Sequence, residues 1–111
     1  TELPASVYYN NDFRFMLDLT MPRLSHGHPG GDLNNLILTA PDGSHAHLEP
    51  DGGLTQSGPR PLWDEIESIH QTWRSLGAPP RERFGLTITP QHQRIWLDTP
   101  DSAHDWSVTR R

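Results

Sequence analysis

Apolar residues recur at steps of three, four and one between Gly58 and Gly77. Leu62, Trp63, Ile66, Ile69, Trp73 and Leu76 fall on one face of a helix, and Asp64, Glu65, Glu67, Gln71 and Arg74 take the other. The spacing predicts a helix over residues 61–76. Pro61 suits a first turn, where a missing N–H costs nothing. Asp64, Glu65 and Glu67 sit in the early turns, where the helix dipole favours anions. Gly77 suits the left-handed residue that follows a helix, and Pro79-Pro80 prevents continuation.

Elsewhere the pattern is short and extended. Phe13, Phe15, Leu17 and Leu19 alternate with Arg14, Met16, Asp18 and Thr20, the period of two expected for a strand with one buried face. Pro22 ends it. Before it, Val7, Tyr8 and Tyr9 offer a short strand or a docking contact, and Asn10-Asn11-Asp12 reads as a turn. Residues 21–32 have no periodicity and read as a long connection. Leu33–Ala40 and Ser44–Leu48 read as strands joined through Pro41-Asp42-Gly43, a turn in which Pro presets φ and Gly accepts φ > 0. Leu54–Ser57 follows as a short fourth strand. Phe84–Thr89 and Arg94–Asp98 form a last hairpin through Pro90-Gln91-His92-Gln93.

Strands around one helix, joined by short links, predict an α+β fold: a mostly antiparallel sheet of about five to six short strands with the helix packed on one face. The covered face should take Phe13, Phe15, Leu17, Leu36 or Ile37, Leu86, Ile88, and Ile95 or Leu97. Residues 1–98 make a single domain on this reading. Residues 99–111 make a polar tail, with Trp106 and Val108 available to dock.

Composition narrows the function classes. The chain of 111 residues carries a net charge of −5 and no Lys, which argues against duplex nucleic acid and anionic membrane as partners. Hydrophobic residues make up 32%, with 11 Pro and 9 Gly, so a modest core with long ordered loops is expected. The lack of Cys removes disulfides, thiol catalysis and Cys-type zinc sites, and suits a cytoplasmic protein. No apolar run approaches the roughly 20 residues of a membrane span. Thr1-Glu2-Leu3-Pro4 has no signal-peptide character and no initiator Met, as expected of a fragment, of a domain taken from a longer protein or of a chain trimmed of a tag.

No catalytic constellation stands out. Ser25, Ser44, Ser57, Ser68 and Ser75 lie in no Gly-x-Ser-x-Gly elbow, and no glycine-rich turn precedes a helix in the way a dinucleotide, S-adenosylmethionine or phosphate site requires. Two His-x-His pairs, His26/His28 and His45/His47, are the metal-binding alternative, since residues i and i+2 on a strand point the same way. Against it stands the reading of these histidines as solvated loop and strand residues. Trp63, Trp73 and Trp96 read as core or as anchors of a peptide-binding cleft. Arg81, Arg83 and Arg94 read as isolated surface residues or as a patch for an acidic peptide.

One resemblance adds to this. Gly58-Pro-Arg-Pro-Leu-Trp-Asp-Glu-Ile-Glu67, Trp73, Arg83-Phe-Gly-Leu-Thr-Ile-Thr-Pro90 and Arg94-Ile-Trp-Leu-Asp98 together resemble the C-terminal extension of certain actinobacterial methyltransferases. These belong to the protein-L-isoaspartate O-methyltransferase family and accompany ribosomal peptide gene clusters, such as those of graspetides and some lanthipeptides. The resemblance implies a parent enzyme that uses S-adenosylmethionine to methylate an Asp carboxylate of a modified precursor peptide, the ester then closing to an aspartimide or leading to isoaspartate. The catalytic domain and its cofactor are not in this chain, and no catalytic residue carries over. The implied role is to recognise the precursor peptide, with Trp63, Trp73, Arg81, Arg83, Arg94 and Trp96 as contacts, or to brace the catalytic domain. A stand-alone peptide-binding module is the competing reading.

Overall fold

The computed structural model describes residues 3–91, 93–100 and 103–108. The fold is α+β, with two α-helices and two separate antiparallel sheets. Strands β1 (Ser25–Gly27), β2 (Leu36–Thr39), β3 (His45–Leu48) and β4 (Leu54–Ser57) form one sheet in sequence order. Strands β5 (Phe84–Ile88), β6 (Gln93–Leu97) and β7 (Asp105–Val108) form the other. Helix α1 (Asn11–Thr20) precedes both sheets, and α2 (Leu62–Ser75) lies between them in the chain.

Helix α2 forms where its apolar stripe predicts. Its start is capped from outside: Trp63 donates its backbone N–H to Oε1 of Gln56 on β4 at 2.6 Å. At its end the Gly77 N–H bonds the Arg74 carbonyl and the Ala78 N–H bonds that of Trp73, with Gly77 at φ 90°. Leu62, Trp63, Ile66 and Trp73 are buried in one core cluster with Leu36, Leu38, Ala46 and Leu48 of the first sheet. Each fully buried side chain of this size stabilises the fold by about 1.5–3 kcal/mol.

Residues 13–20 correct the sequence reading. They form α1, not a strand, and the reason is local. The Asn10 side chain accepts hydrogen bonds from the N–H groups of Asp12 and Phe13 at 3.0 and 3.2 Å, and Asp12 adds a negative charge in the first turn. Phe13, Met16 and Leu17, spaced i, i+3, i+4, are buried together. Met16, counted among the outward positions of a strand, is the residue that separates the two periods. Phe13 packs on His70 and Trp73 of α2, with ring centroids 4.9 and 5.6 Å apart.

Two further strands lie where connections were expected. Ser25–Gly27 within the 21–32 connection pairs with β2 in register Ser25↔Thr39, His26↔Leu38. Asp105–Val108, assigned to a polar tail, forms the third strand of the second sheet, and Trp106 docks by donating its indole N–H to Thr20 Oγ1 at 3.2 Å. The side chain of Val108 and all of His92 lie outside the described residues. Leu36 faces the core and Ile37 is only partly covered; Leu97 is buried and Ile95 half-buried. Leu86 and Ile88, expected in the core, are 52% and 61% exposed.

Gly58 fastens the start of α2 to the β2–β3 turn. It has φ +94°, and a Cβ there would stand 2.5 Å from Ser44 Cα. Ser44 is fully buried beneath it, and its Oγ accepts from the Arg60 N–H at 2.9 Å.

Because α1 depends on its cap, Asn10→Ala should cost about 1 kcal/mol. The expected reading is a fall in Tm of about 5 °C with an unchanged denaturant slope. An unchanged Tm would show that tertiary contacts alone hold α1.

Candidate functional site

Strand register places the solvent-facing side chains of the second sheet. Gly85 pairs with Trp96, Trp96 with Asp105, Thr87 with Arg94, and Arg94 with Ser107, so these residues share one face. Phe84, Leu86, Ile95, Leu97 and Trp106 share the other face, where Phe84 meets Phe15 of α1 at 4.9 Å. On the outer face the Trp96 ring lies across Gly85, in the space a Cβ would occupy. Its indole N–H donates to Thr87 Oγ1 at 2.8 Å. The half-buried ring is therefore held flat on the strand by a glycine beneath it and a hydroxyl at its edge. Arg94 meets Asp105 at 3.0 Å and also donates to the Pro100 carbonyl. At the end of the sheet Arg83 makes a two-pronged contact with Asp98 at 2.8 and 2.7 Å. This pairing raises the Arg83 pKa and lowers that of Asp98.

Of the six predicted peptide contacts, Arg94 and Trp96 stand on this one sheet and Arg83 on the 3-10 turn just before it. Trp63 and Trp73 do not: they are 0% and 7% exposed in the core, and Trp73 donates its indole N–H to the Pro79 carbonyl at 3.1 Å. Their assignment as peptide contacts is corrected to core. Arg81 lies apart over the Phe15 ring, 5.5 Å from its centroid. Arg83 and Arg94 each face a carboxylate, so this surface is polar but not strongly basic.

The His-x-His pairs do not converge. His45 and His47 pair with Thr39 and Ile37, whereas His26 pairs with Leu38, whose neighbour on β3 is the buried Ala46. In-register residues share a face, so the pairs project from opposite faces of the first sheet. His47 meets Asn35 Oδ1 at 2.6 Å, and His45 meets Ser57 Oγ at 2.9 Å. Among the described residues no group of three or more His, Asp or Glu is placed to hold a metal ion. Ser57 and His45 make an exposed Ser–His contact, but no carboxylate among the described residues is bonded to His45 to orient it as a base.

One polar cluster was not anticipated from sequence. Tyr8 OH lies 3.2 Å and Arg14 Nη2 3.4 Å from His26 Nδ1, with the Arg14 guanidinium 4.0 Å over the Tyr8 ring. Arg14 can only donate, so Nδ1 is the unprotonated acceptor. Burial pushes the Tyr8 hydroxyl up to about 12. Burial, then the Arg14 charge and His28, lower the His26 pKa, while Asp18 opposes them. Tyr8 lies in a 3-10 helix (Ala5–Tyr9), where the sequence suggests a short strand or docking contact, Arg14 lies on α1 and His26 on β1, and no spacing rule links them. A cleft of about 290 Å³ between the end of α1 and the β2–β3 turn is lined in part by Arg23, Asp42 and Arg60. Arg60 is already bonded to Glu65 at 3.0 and 2.6 Å.

Comparison of the chain with protein-family models, with curated proteins and with solved structures finds no match. No helix among the described residues is long and apolar enough to cross a membrane.

His26 and His70 share one linkage consequence. Burial lowers both from 6.5, with Arg14 and Arg74 respectively adding to it. The unfolded chain takes up a proton near that value and the folded chain does not. Their contribution to stability is therefore present above about pH 6.5 and lost as pH falls below it. Urea midpoints should fall between about pH 7.5 and about pH 5. His26→Asn, which keeps an acceptor for Tyr8, should flatten part of the slope.

Proposed function

We propose that this chain is a non-catalytic peptide-binding domain that uses the outer face of the β5–β7 sheet. One observation carries the reading: Trp96 is laid flat on Gly85, fixed at its edge by Thr87 and flanked by the Arg94–Asp105 pair. A rigid aromatic surface with polar neighbours is what an interface anchor needs, because little side-chain entropy remains to be lost on binding. The arginines are already paired, so stacking and hydrogen bonding would dominate over net charge. Exposed ion pairs of this kind are worth about 0–1 kcal/mol and can exchange partners at low cost.

The resemblance supplies the context. In it the domain belongs to an S-adenosylmethionine-dependent peptide aspartate O-methyltransferase, presents the modified precursor peptide, and leaves cofactor and chemistry to the catalytic domain. Bracing of that domain is the narrower alternative within the same reading.

The test is NMR shift mapping with a macrocyclic, Asp-bearing peptide of the graspetide type. Shifts should centre on Gly85, Thr87, Arg94 and Trp96. Trp96→Ala should weaken binding about tenfold or more, as loss of an aromatic anchor does. Gly85→Ala should do nearly as much while keeping the tryptophan, because the added methyl displaces the ring. An absence of shifts at high peptide excess would leave only the bracing role. Shifts confined to the first sheet would move the site.

A further inference from the structure

Strand β5 is an outer strand of its sheet. Asp98 donates its backbone N–H to the Arg83 carbonyl and Leu97 donates to that of His104. With Gly85 opposite Trp96, the backbone groups of Gly85 and Thr87 therefore point at β6. Those of Phe84, Leu86 and Ile88 point the other way. The Phe84 N–H is taken by the Arg81 carbonyl. The Phe84 carbonyl and both backbone groups of Leu86 and Ile88 have no partner among the described residues. Nothing along the strand guards this edge. Phe84-Gly-Leu-Thr-Ile88 has no charge and no Pro, the usual devices that keep edges from pairing. The other outer strands are more polar: β1 is Ser-His-Gly, β4 is Leu-Thr-Gln-Ser, and β7 carries Asp105.

We propose that β5 pairs antiparallel with β5 of a second copy of this chain, about a two-fold axis at Leu86. The strand is self-complementary in that register. Leu86 of each copy exchanges N–H and C=O bonds with Leu86 of the other, and on either side the Ile88 N–H donates to the Phe84 carbonyl. The axis is perpendicular to the sheet, so like faces join. The exposed Leu86 side chains meet, and the exposed Ile88 lands beside Phe84, which already packs on Phe15. Each copy carries a net charge of −5, which opposes association, and this strand brings them together with no charged residue opposed across the axis. The contact is isologous and closes at the dimer. A five-residue edge buries less than a standard interface, so the dimer forms in the range of about 0.1 mM.

Sedimentation equilibrium of the 111-residue chain from about 10 µM to about 1 mM reads this directly. The chain should pass from monomer to dimer. Leu86→Lys places like charges directly opposite each other across the axis and should weaken association at least about tenfold. The side chain is exposed in the monomer, so circular dichroism should be unchanged. In the dimer the Leu86 Cα atoms stand about 5.5 Å apart, within disulfide reach. The chain has no other Cys, so Leu86→Cys should give a covalent dimer on mild oxidation, whereas Gln71→Cys on the exposed side of α2 should not. A wild-type chain that stays monomeric at about 1 mM would overturn the proposal and leave the edge for a peptide strand. So would unchanged association of Leu86→Lys, or cross-linking of Leu86→Cys no faster than that of Gln71→Cys.

Discussion

The two sheets share no strand and are joined through α1. Phe13 on one side of that helix enters the core against α2, while Phe15 on another side meets Phe84 of the second sheet. Trp106 closes the arrangement by bonding Thr20 at the end of the same helix. A ten-residue helix is marginal on its own, because nucleation is unfavourable and few bonds repay it. It persists here because its faces are buried and because Asn10 satisfies two of its free N–H groups. The orientation of the β5–β7 sheet, and with it the direction in which Trp96 faces, rests on that short helix.

What was legible in the sequence follows from how local each signal is. The stripe of α2, the Pro-Asp-Gly turn and the last hairpin are set by neighbours within a few residues, and all three stand where the pattern put them. Helix α1 was misread because Phe13, Phe15, Leu17 and Leu19 satisfy a period of two, while Phe13, Met16 and Leu17 satisfy a period of 3.6. The cap at Asn10 decides between them, and it resembles a turn when viewed alone. The sequence hides β1 because Ser-His-Gly carries no hydrophobic signature, and β7 because Asp-Trp-Ser-Val alternates over only four residues, too few to set a period. The outer-face site was half legible. Trp96, Arg83 and Arg94 were named, but the pairing of Trp96 with Gly85 depends on the hairpin register, and the burial of Trp63 and Trp73 depends on tertiary packing.

The electrostatics of the surface are more restrained than the arginine count implies. Arg14, Arg60, Arg83 and Arg94 each lie against a carboxylate: Asp18, Glu65, Asp98 and Asp105. Guanidinium groups suit this use, since their planar fork holds two oxygens at once and cannot lose its proton. Long-range attraction of an acidic partner is correspondingly weak. The peptide binding proposed for this surface would accordingly depend on shape and on stacking at close range and change little with ionic strength.

The contact between Gly58 and Ser44 sets a limit of a different kind. It is a backbone-to-backbone approach, 2.5 Å from a would-be Cβ to the Ser44 Cα, at a left-handed φ. A steric conflict between side chains can be relieved by trimming the partner. Here no substitution at position 44 makes room, because every amino acid has a Cα. In an evolving lineage with this fold, position 58 should therefore stay glycine without covarying with the residue it touches. It would be invisible to methods that infer contacts from paired substitutions, although a Cβ there would stand closer to backbone than real Cβ atoms come.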